Sequence, residues 1–395
     1  MKKTLALLLA LVMALALVAC GGNSNNNTTP PADNNTQNEE PANNENTEPA
    51  EPDKVVADPN YPASGTLNVV VGWGAGGTTD LIARKVANDI SVAGGFNNNV
   101  TNVTGSSGSI AADQVQQDGK TSGETLWGGM ISAINTWRAM DLADMDWTNW
   151  YAFISCQTDF CLAVSKDSQF NTYEEFVEYG KANPGKLRSG NPGIGSVGHL
   201  AAVTFAKAFD FEMTAVPYQG GRAAALGVMG GEIEFVFIAY GDIKDLVESG
   251  DLKALAFTGA DREITTTAGT TYSVPGLDAV KPEIAATTSK LGMWGVAIPR
   301  TVPAEQVLAF QEKWLAAVTA DEYVKYCEET LGTKPVAIYG VDADKTMAEG
   351  QSVYVAILEG EGLTAKSAAD LGIPSPADYS WDKVDLSNVT PWPNA

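Results

Sequence analysis

Three glycines near residue 70 fall at the spacing of a dinucleotide-binding loop. Gly72, Gly74 and Gly77 lie in the stretch NVVVGWGAGGTTDLIARKVA, residues 68–87, which runs from an apolar strand pattern into a helical pattern. A dinucleotide site also needs an acidic residue roughly 20 positions further on, to bind the ribose hydroxyls. Residues 97–102 read NNNVTN and contain no acid. The sequence therefore disfavours NAD, and we expect no cofactor.

The same glycine loop is typical of a more general anion-binding site. A glycine turn at the start of a helix leaves backbone N–H groups unpaired and places a partial positive charge there. Gly76 and Gly77 allow a ligand to approach the backbone closely, and the hydroxyls of Thr78 and Thr79 add donors. Either threonine could cap the helix, with Asp80 in its first turn. The alternative is a glycine turn needed only to pack the strand against the helix.

A second loop of the same kind follows further along the chain. Residues 189–196 read SGNPGIGS and lie between another predicted strand and another predicted helix. Two such loops on opposite domains could bind the two ends of a small dicarboxylate. This pairing favours the anion-binding interpretation over the packing alternative.

Strand and helix patterns alternate from about residue 66 to the end of the chain. Leu67, Val69 and Val71 alternate with other residues, and Val70 adds to an apolar run that suits a strand buried on both faces. Ile82, Val86 and Ile90 recur at helical spacing, and a long helix is predicted over residues 304–320. This alternation predicts an α/β protein with parallel or mixed sheets covered by helices. A length of some 330 residues predicts two domains.

The N-terminal residues are typical of an export signal. Lys2 and Lys3 precede an apolar run, residues 5–19, that is too short for an ordinary membrane span. Residues 17–20 read LVAC and resemble a lipobox, which predicts a signal peptide over residues 1–19 and acylation of Cys20. The alternative is a plain secretory signal with a chance cysteine. Residues 20–65, rich in Asn, Thr, Pro and Glu, are predicted to form a disordered linker that tethers the protein to the membrane.

Charge and metal-ligand counts exclude several classes of function. The formal net charge is −23, so nucleic acid and anionic membrane surfaces would be repelled. One histidine and no CxxC pair make a zinc site unlikely on sequence grounds. Cys156 and Cys161 could form a disulfide if the residues between them turn, but not if the segment is one extended strand. The sequence contains no GxSxG motif, which is the motif that would indicate a hydrolase.

Six ordered motifs resemble one family of transport receptors. They read VVVGWGAGGTTDLIARKVA, VTGSSGSIAA, NPGKLRSGNPGIGSVGHLAAVTF, VPYQGGRAAALGVMGGEIEFVF, GDLKALAFTGADR and YSVPGLDAV. The chain resembles the extracytoplasmic solute receptors of tripartite tricarboxylate transporters, the TctC or Bug family, from about residue 66 onward. The resemblance implies a two-domain periplasmic-binding-protein fold with a ligand cleft between the domains. Domain 1 would comprise residues 66–163 and 293–395, and domain 2 residues 164–292.

The resemblance also implies which loops bind the ligand. Residues 76–80 match the first ligand loop, Gly195 and Ser196 with His199 the second, and residues 218–220 the third. The candidate ligand-binding residues are Gly76, Gly77, Thr78, Thr79, Asp80, Ser132, Ser189, Asn191, Gly195, Ser196, His199, Tyr218, Gly220 and Arg222. The usual Pro-Phe before the first loop is Gly72-Trp73 here, and the usual aromatic pair on the later hinge strand is Met293-Trp294.

Several of these candidates also have simpler structural interpretations. His199 is expected to be a packed or capping histidine rather than a base. Asp80 would repel a carboxylate, so it either stabilises its own helix or recognises an amino or hydroxyl group. Arg222 either pairs with a distal ligand carboxylate or lies at the surface. Trp73 and Trp294 are either cleft walls or core residues.

The resemblance implies a receptor and not an enzyme. The expected protein is an extracytoplasmic, lipid-anchored monomer that captures a small organic carboxylate and delivers it to the permease subunits of a tripartite transporter. The alternative is a ligand-sensing subunit for a membrane histidine kinase. The sequence does not identify which carboxylate is bound.

Overall fold

The computed structural model describes residues 54–288 and 290–394 of the 395-residue chain. The predicted signal peptide and Cys20 lie outside the described residues. The strands are β1 Thr66–Val71, β2 Asn97–Asn102, β3 Thr125–Met130, β4 Trp150–Gln157, β5 Phe160–Ser165, β6 Leu187–Asn191, β7 Met213–Pro217, β8 Phe235–Ala239, β9 Leu252–Phe257, β10 Arg262–Thr265, β11 Thr271–Val274, β12 Met293–Pro299 and β13 Lys334–Ile338. The helices are α1 Thr78–Gly94, α2 Ser109–Asp118, α3 Ile134–Trp137, α4 Tyr173–Ala182, α5 Val197–Ala208, α6 Gly221–Met229, α7 Lys244–Ser249, α8 Pro282–Thr288, α9 Ala304–Val318, α10 Asp321–Lys325 and α11 Gly340–Gly360.

Two mixed sheets organise these elements, as the alternating pattern predicts. The first sheet has six strands in the order β13-β4-β12-β3-β1-β2. Within it β1 is parallel to β2 and β3, whereas β12 is antiparallel to β3 and β4. The second sheet has five strands in the order β7-β6-β8-β5-β9, with β6 parallel to β7 and β8. We call each sheet with its helices the first lobe and the second lobe.

The chain crosses between the lobes twice. One crossing joins β4 to β5 through Thr158 and Asp159, and the other returns from β9 to β12 through the β10–β11 hairpin and α8. The two crossings are bonded to each other, because the Thr158 N–H donates to the Gly292 carbonyl over 3.1 Å. The predicted boundaries at residues 163 and 292 lie close to these crossings, and the assignment of two domains stays a prediction.

Apolar periodicity accounts for how the helices pack. In α1 the predicted face of Ile82, Val86 and Ile90 is fully buried. The predicted helix over residues 304–320 begins at the predicted residue and ends two residues early, at Val318. Burial of these faces against the sheets supplies the main favourable free energy of folding.

The predicted linker ends earlier than the composition suggests. The prediction of a disordered linker is wrong for residues 54–65. Tyr61 is buried, and its hydroxyl donates to the Gly123 carbonyl over 2.6 Å. The Asp58 carboxylate accepts from the Gln306 side chain over 2.7 Å. The favourable free energy of burying one aromatic ring therefore outweighs the tendency of this polar segment to stay disordered.

A buried ion pair attaches the C-terminal segment to the first lobe. The Arg300 guanidinium donates to the Asp344 carboxylate and to the Thr390 carbonyl. Its central carbon lies 4.7 Å from the centre of the Tyr151 ring and 5.9 Å from that of Trp392. Burial lowers the pKa of Arg300 and raises the pKa of Asp344, although their mutual attraction opposes both shifts.

The cysteines do not form the disulfide that the sequence left open. Cys156 lies in β4 and Cys161 in β5, on strands of different sheets, and both are free and buried. Cys327 is also free and buried. Separately, none of the helices described in residues 54–288 and 290–394 is long and apolar enough to span a bilayer.

Candidate functional site

The first glycine loop leads from β1 into the N-terminus of α1. Gly77 is the residue that precedes the helix, and no side chain caps it. The prediction that Thr78 or Thr79 caps α1 is therefore wrong, since Thr78 is already the first helical residue. Gly76 has φ +83°, a conformation that favours glycine, and its N–H is used within the loop.

Asp80 closes this loop on itself instead of facing a ligand. Its carboxylate accepts from the Gly76 N–H at 3.0 Å, from Arg84 Nε at 2.9 Å and from Asn102 Nδ2 at 2.8 Å. Burial alone would raise the pKa of Asp80, but these hydrogen bonds and the charge of Arg84 outweigh burial and lower the pKa. Asn102 ends β2, inside the window where a dinucleotide-binding protein needs an acid.

The second loop joins β6 to α5 in the other lobe. Ser196 caps α5, and its hydroxyl accepts from the His199 N–H over 3.3 Å. His199 Nδ1 accepts from the Gly195 N–H over 3.1 Å, which requires a neutral ring with its proton on Nε2. His199 thus binds its own loop, as the capping interpretation predicts.

His199 makes the stability of this loop dependent on pH. Burial lowers the pKa of His199, although the charge of Glu361 opposes that effect. Because the folded-state pKa lies below the unfolded value of about 6.5, the unfolded state takes up the proton first and stability falls as pH decreases below that value. Replacing His199 by Asn, whose Oδ1 can take the place of Nδ1, is expected to reduce the loss of melting temperature between pH 7 and pH 5. Equal losses in both proteins, measured by calorimetry, would contradict this role.

Tyr218 of the third loop and Arg222, which follows that loop in α6, each bond to an acid of their own lobe. The Tyr218 hydroxyl donates to Glu232 over 2.9 Å, at the surface of the second lobe. The Arg222 guanidinium forms a two-bond pair with Asp245 and also donates to the Asp242 carbonyl over 3.3 Å. Arg222 is therefore already paired within its own lobe.

Three further candidates are fully buried. The Ser132 hydroxyl donates to the Leu291 carbonyl, inside the first lobe. Ser189 and Asn191 lie on β6 with no exposed surface, and the Asn191 amide donates to the Ser189 carbonyl over 3.4 Å. The sequence could not show this, because it does not determine towards which helix each side of β6 points.

The two lobes touch through their loops. The Gly74 N–H donates to the Gln219 carbonyl over 2.9 Å, and Trp73 Nε1 donates to the Pro192 carbonyl over 3.3 Å. Ser107 donates to the Ile194 carbonyl over 2.9 Å. These bonds join residues of the first lobe to loops of the second, so the lobes are closed on each other.

A cavity of about 150 Å³ lies between the closed loops. Of the predicted ligand residues, Gly77, Thr79, Gly220 and Arg222 line it. The other predicted residues are absent from its wall: Gly76, Thr78, Asp80, Ser132, Ser189, Asn191, Gly195, Ser196, His199 and Tyr218. A neighbouring cleft of about 340 Å³ shares Trp73, Pro192 and Gln219 with the cavity, and Tyr218 lines that cleft.

The two tryptophans separate into a wall residue and a core residue. Trp73 lines both the cavity and the cleft, and its ring centre lies 5.8 Å from that of Trp127. Trp294 is buried, and its Nε1 donates to the Thr79 hydroxyl over 3.0 Å. The Thr79 hydroxyl proton can therefore point towards the cavity.

One acidic residue of the cavity wall was missed by the sequence reasoning. Asp242 follows β8 and lies in the turn Tyr240–Asp242, with only 7% of its surface exposed. Its carboxylate accepts from the Thr78 N–H, in the opposite lobe, over 2.6 Å. A polar residue just after the carboxyl end of a strand is a usable signal, since α/β proteins bind ligands at that edge. The described residues contain no cluster of three or more His, Cys, Asp or Glu side chains that could bind a metal ion.

Comparison with known families shows which family this chain belongs to. The sequence profile of the tripartite tricarboxylate transporter family receptors, TctC, matches residues 82–362. The chain belongs to this family. The resemblance found in the motifs and the predicted fold class are both confirmed, and the TctC receptors are solute-binding proteins and not enzymes.

Individual proteins similar to this chain are distant from it. A Cupriavidus necator protein, called UPF0065 protein in gbd 5'region, is 29% identical over 205 residues, which is 50% of this chain and 60% of that protein. The structure of a Rhodopseudomonas palustris protein with adipate is 23% identical, has a TM-score of 0.64, and is matched over 75% of this chain and 97% of its own. MatC of the same organism, with bound malate, is 19% identical, has a TM-score of 0.61, and is matched over 73% and 98% respectively. These structures establish the fold.

Proposed function

We propose that this TctC-family protein is a lipid-anchored extracytoplasmic receptor that captures a small organic carboxylate between its lobes and delivers it to the permease subunits of a tripartite transporter. The observation that carries the proposal is the cavity of about 150 Å³ enclosed by glycine loops of both lobes. The adipate and malate named for two proteins of the same fold support a carboxylate as the ligand.

The cavity wall offers the kind of groups that bind a carboxylate. Gly220 lets the ligand approach the backbone, and the Thr79 hydroxyl can donate a hydrogen bond. Trp73 and Leu226 add apolar surface. Closure removes water from these fixed donors, so each hydrogen bond to an anion is stronger than it would be in bulk solvent.

A thermal-shift screen tests carboxylate binding. The panel contains mono-, di- and tricarboxylates, with NAD and uncharged sugars as controls. A ligand that binds only the folded protein stabilises it by about 2.7 kcal/mol when present at 100 times its dissociation constant. We expect at least one carboxylate, and neither control class, to raise the melting temperature. A panel in which no carboxylate raises it contradicts the proposal.

The anchor and the partner are tested separately. Replacing Cys20 by Ser removes the only predicted acylation site, so the variant is expected to move from the membrane fraction to the soluble fraction.

The permease partner is tested by co-purification of the native lipoprotein with and without the carboxylate found in the screen. Co-purification with a histidine kinase instead would favour the sensory alternative.

A further inference from the structure

Asp242 occupies the anion-binding position that the glycine loop was predicted to offer to a ligand. Its Oδ1 lies 2.6 Å from the Thr78 nitrogen, at the N-terminus of the 17-residue helix α1. The two residues are 164 positions apart and belong to different lobes. The carboxylate that meets the α1 amides in the closed protein is thus supplied by the chain itself.

Two glycines from opposite lobes provide the space for this carboxylate. A β carbon on Gly77 would lie 2.9 Å from Oδ1 of Asp242, and one on Gly221 would lie 2.0 Å from Oδ2. Distances of this size are shorter than van der Waals contact. Any other residue at Gly221 would have to displace the carboxylate, so the position of Asp242 is fixed by both loops.

The carboxylate of Asp242 has no free cation beside it in the described part of the chain. Arg222 contacts the Asp242 main-chain carbonyl over 3.3 Å, but its guanidinium is paired with Asp245. Burial raises the pKa of Asp242 to about 6, while the hydrogen bonds from Thr78 and the charge of Arg222 oppose the rise. At pH 7.5 the cavity therefore contains an ionised carboxylate.

Resting on the proposed function, we propose that Asp242 determines which carboxylates the receptor accepts. It admits an acid whose far end is neutral or cationic and rejects one with a second carboxylate. In a cavity of about 150 Å³, a dicarboxylate would place its second charge within a few ångströms of Asp242, where like charges repel strongly because water is excluded. An ammonium group at the same place would instead be attracted to Asp242.

Three four-carbon acids that differ only at the far end test this selectivity: succinate, butyrate and 4-aminobutyrate. Affinities are measured by calorimetry at pH 7.5 on the wild-type protein. We expect 4-aminobutyrate to bind more tightly than butyrate, and butyrate at least about tenfold more tightly than succinate, because of the charge at Asp242. A wild-type protein that prefers succinate overturns the proposal, as does one that binds none of the three acids.

The variant Asp242→Asn keeps an oxygen near Thr78 and removes only the charge. It is expected to raise the affinity for succinate at least about tenfold, to lower that for 4-aminobutyrate, and to change that for butyrate less than about threefold. Asp251→Asn is the matched control, since Asp251 is a partly exposed acid of the same lobe paired with Lys166 over 3.7 Å. The control should leave the order of the three acids unchanged.

Equal changes for all three acids in Asp242→Asn would show that the residue only holds the lobes together, and would overturn the proposal. If this variant does not fold, Asp242→Ser removes the charge with a smaller side chain and is measured in the same way. The outcome is separate from that of the broad screen. If the protein binds carboxylates in the screen but its selectivity does not depend on Asp242, the proposed function stands and this inference is wrong.

Discussion

Replacing Arg300 by alanine is expected to lower the free energy of unfolding by about 3–5 kcal/mol, the cost of breaking a buried ion pair. The change leaves the Asp344 carboxylate buried without its partner and removes the bond to the Thr390 carbonyl. It also removes the cation that packs against the rings of Tyr151 and Trp392. Urea denaturation followed by tryptophan fluorescence measures the loss.

Arg188→Ala is the matched control for this prediction. Arg188 forms a pair of equally direct contacts with Glu234, but the two side chains are 45% and 33% exposed. Exposed pairs contribute about 0–1 kcal/mol, because water solvates both charges well when the pair breaks. Similar losses in the two variants would show that burial does not make the cost of breaking the Arg300–Asp344 pair larger than that of an exposed pair. The double variant Arg300→Met with Asp344→Leu should recover much of the loss, since it leaves no unpaired charge.

Replacing Gly292 by alanine is expected both to destabilise the protein and to impair ligand capture. The new β carbon would lie 2.4 Å from the Thr158 carbonyl oxygen, which is a backbone atom of the other crossing between the lobes. Rotating a side chain cannot relieve this contact, so the two crossings must separate. We expect a loss of stability of about 1–3 kcal/mol, as for other overpacked sites. Affinity for the carboxylate found in the screen should fall at least about tenfold, because the loops of the two lobes no longer meet in register.

Gly230→Ala provides the comparison for Gly292. Gly230 follows α6 with ordinary helical angles, and the nearest atom to its added β carbon would be the Leu226 carbonyl oxygen at 3.4 Å. This variant should change stability by no more than about 0.5 kcal/mol and leave binding unaltered. A Gly292 variant that behaves like the Gly230 variant would exclude the crossings as determinants of closure.

Sequence reasoning predicted best what depends on local periodicity. Ile82, Val86 and Ile90 lie on the buried face that their spacing indicates, and the helix after Pro303 begins where expected. The glycine loops also lie where the strand and helix patterns meet. These features follow from interactions between residues close in sequence, which a single sequence contains.

The details of the site depend on residues that are distant in sequence. Thr78 and Asp242 are 164 positions apart, so no local pattern connects the glycine loop to the carboxylate that meets it. Spacing alone presents Arg222 as a candidate ligand residue, but it does not show that Asp245, 23 positions away, pairs with its guanidinium. Ser132 is likewise a candidate by its position in the sequence, but its hydroxyl donates to the carbonyl of Leu291, which is distant in sequence. Such pairings are set by tertiary packing and cannot be derived from spacing.

The labelling rates of the three buried thiols can report transient local opening of the protein. Cys161 belongs to the second sheet, whereas Cys156 belongs to the first sheet and Cys327 packs against that sheet. A maleimide or similar reagent can reach each sulfur only when its surroundings open transiently. Labelling rates resolved by peptide mass spectrometry therefore give separate opening free energies for the two halves in native buffer, without denaturant or an engineered cysteine. Bound metabolite should slow both rates if it seals the halves together, and only one if it engages a single half.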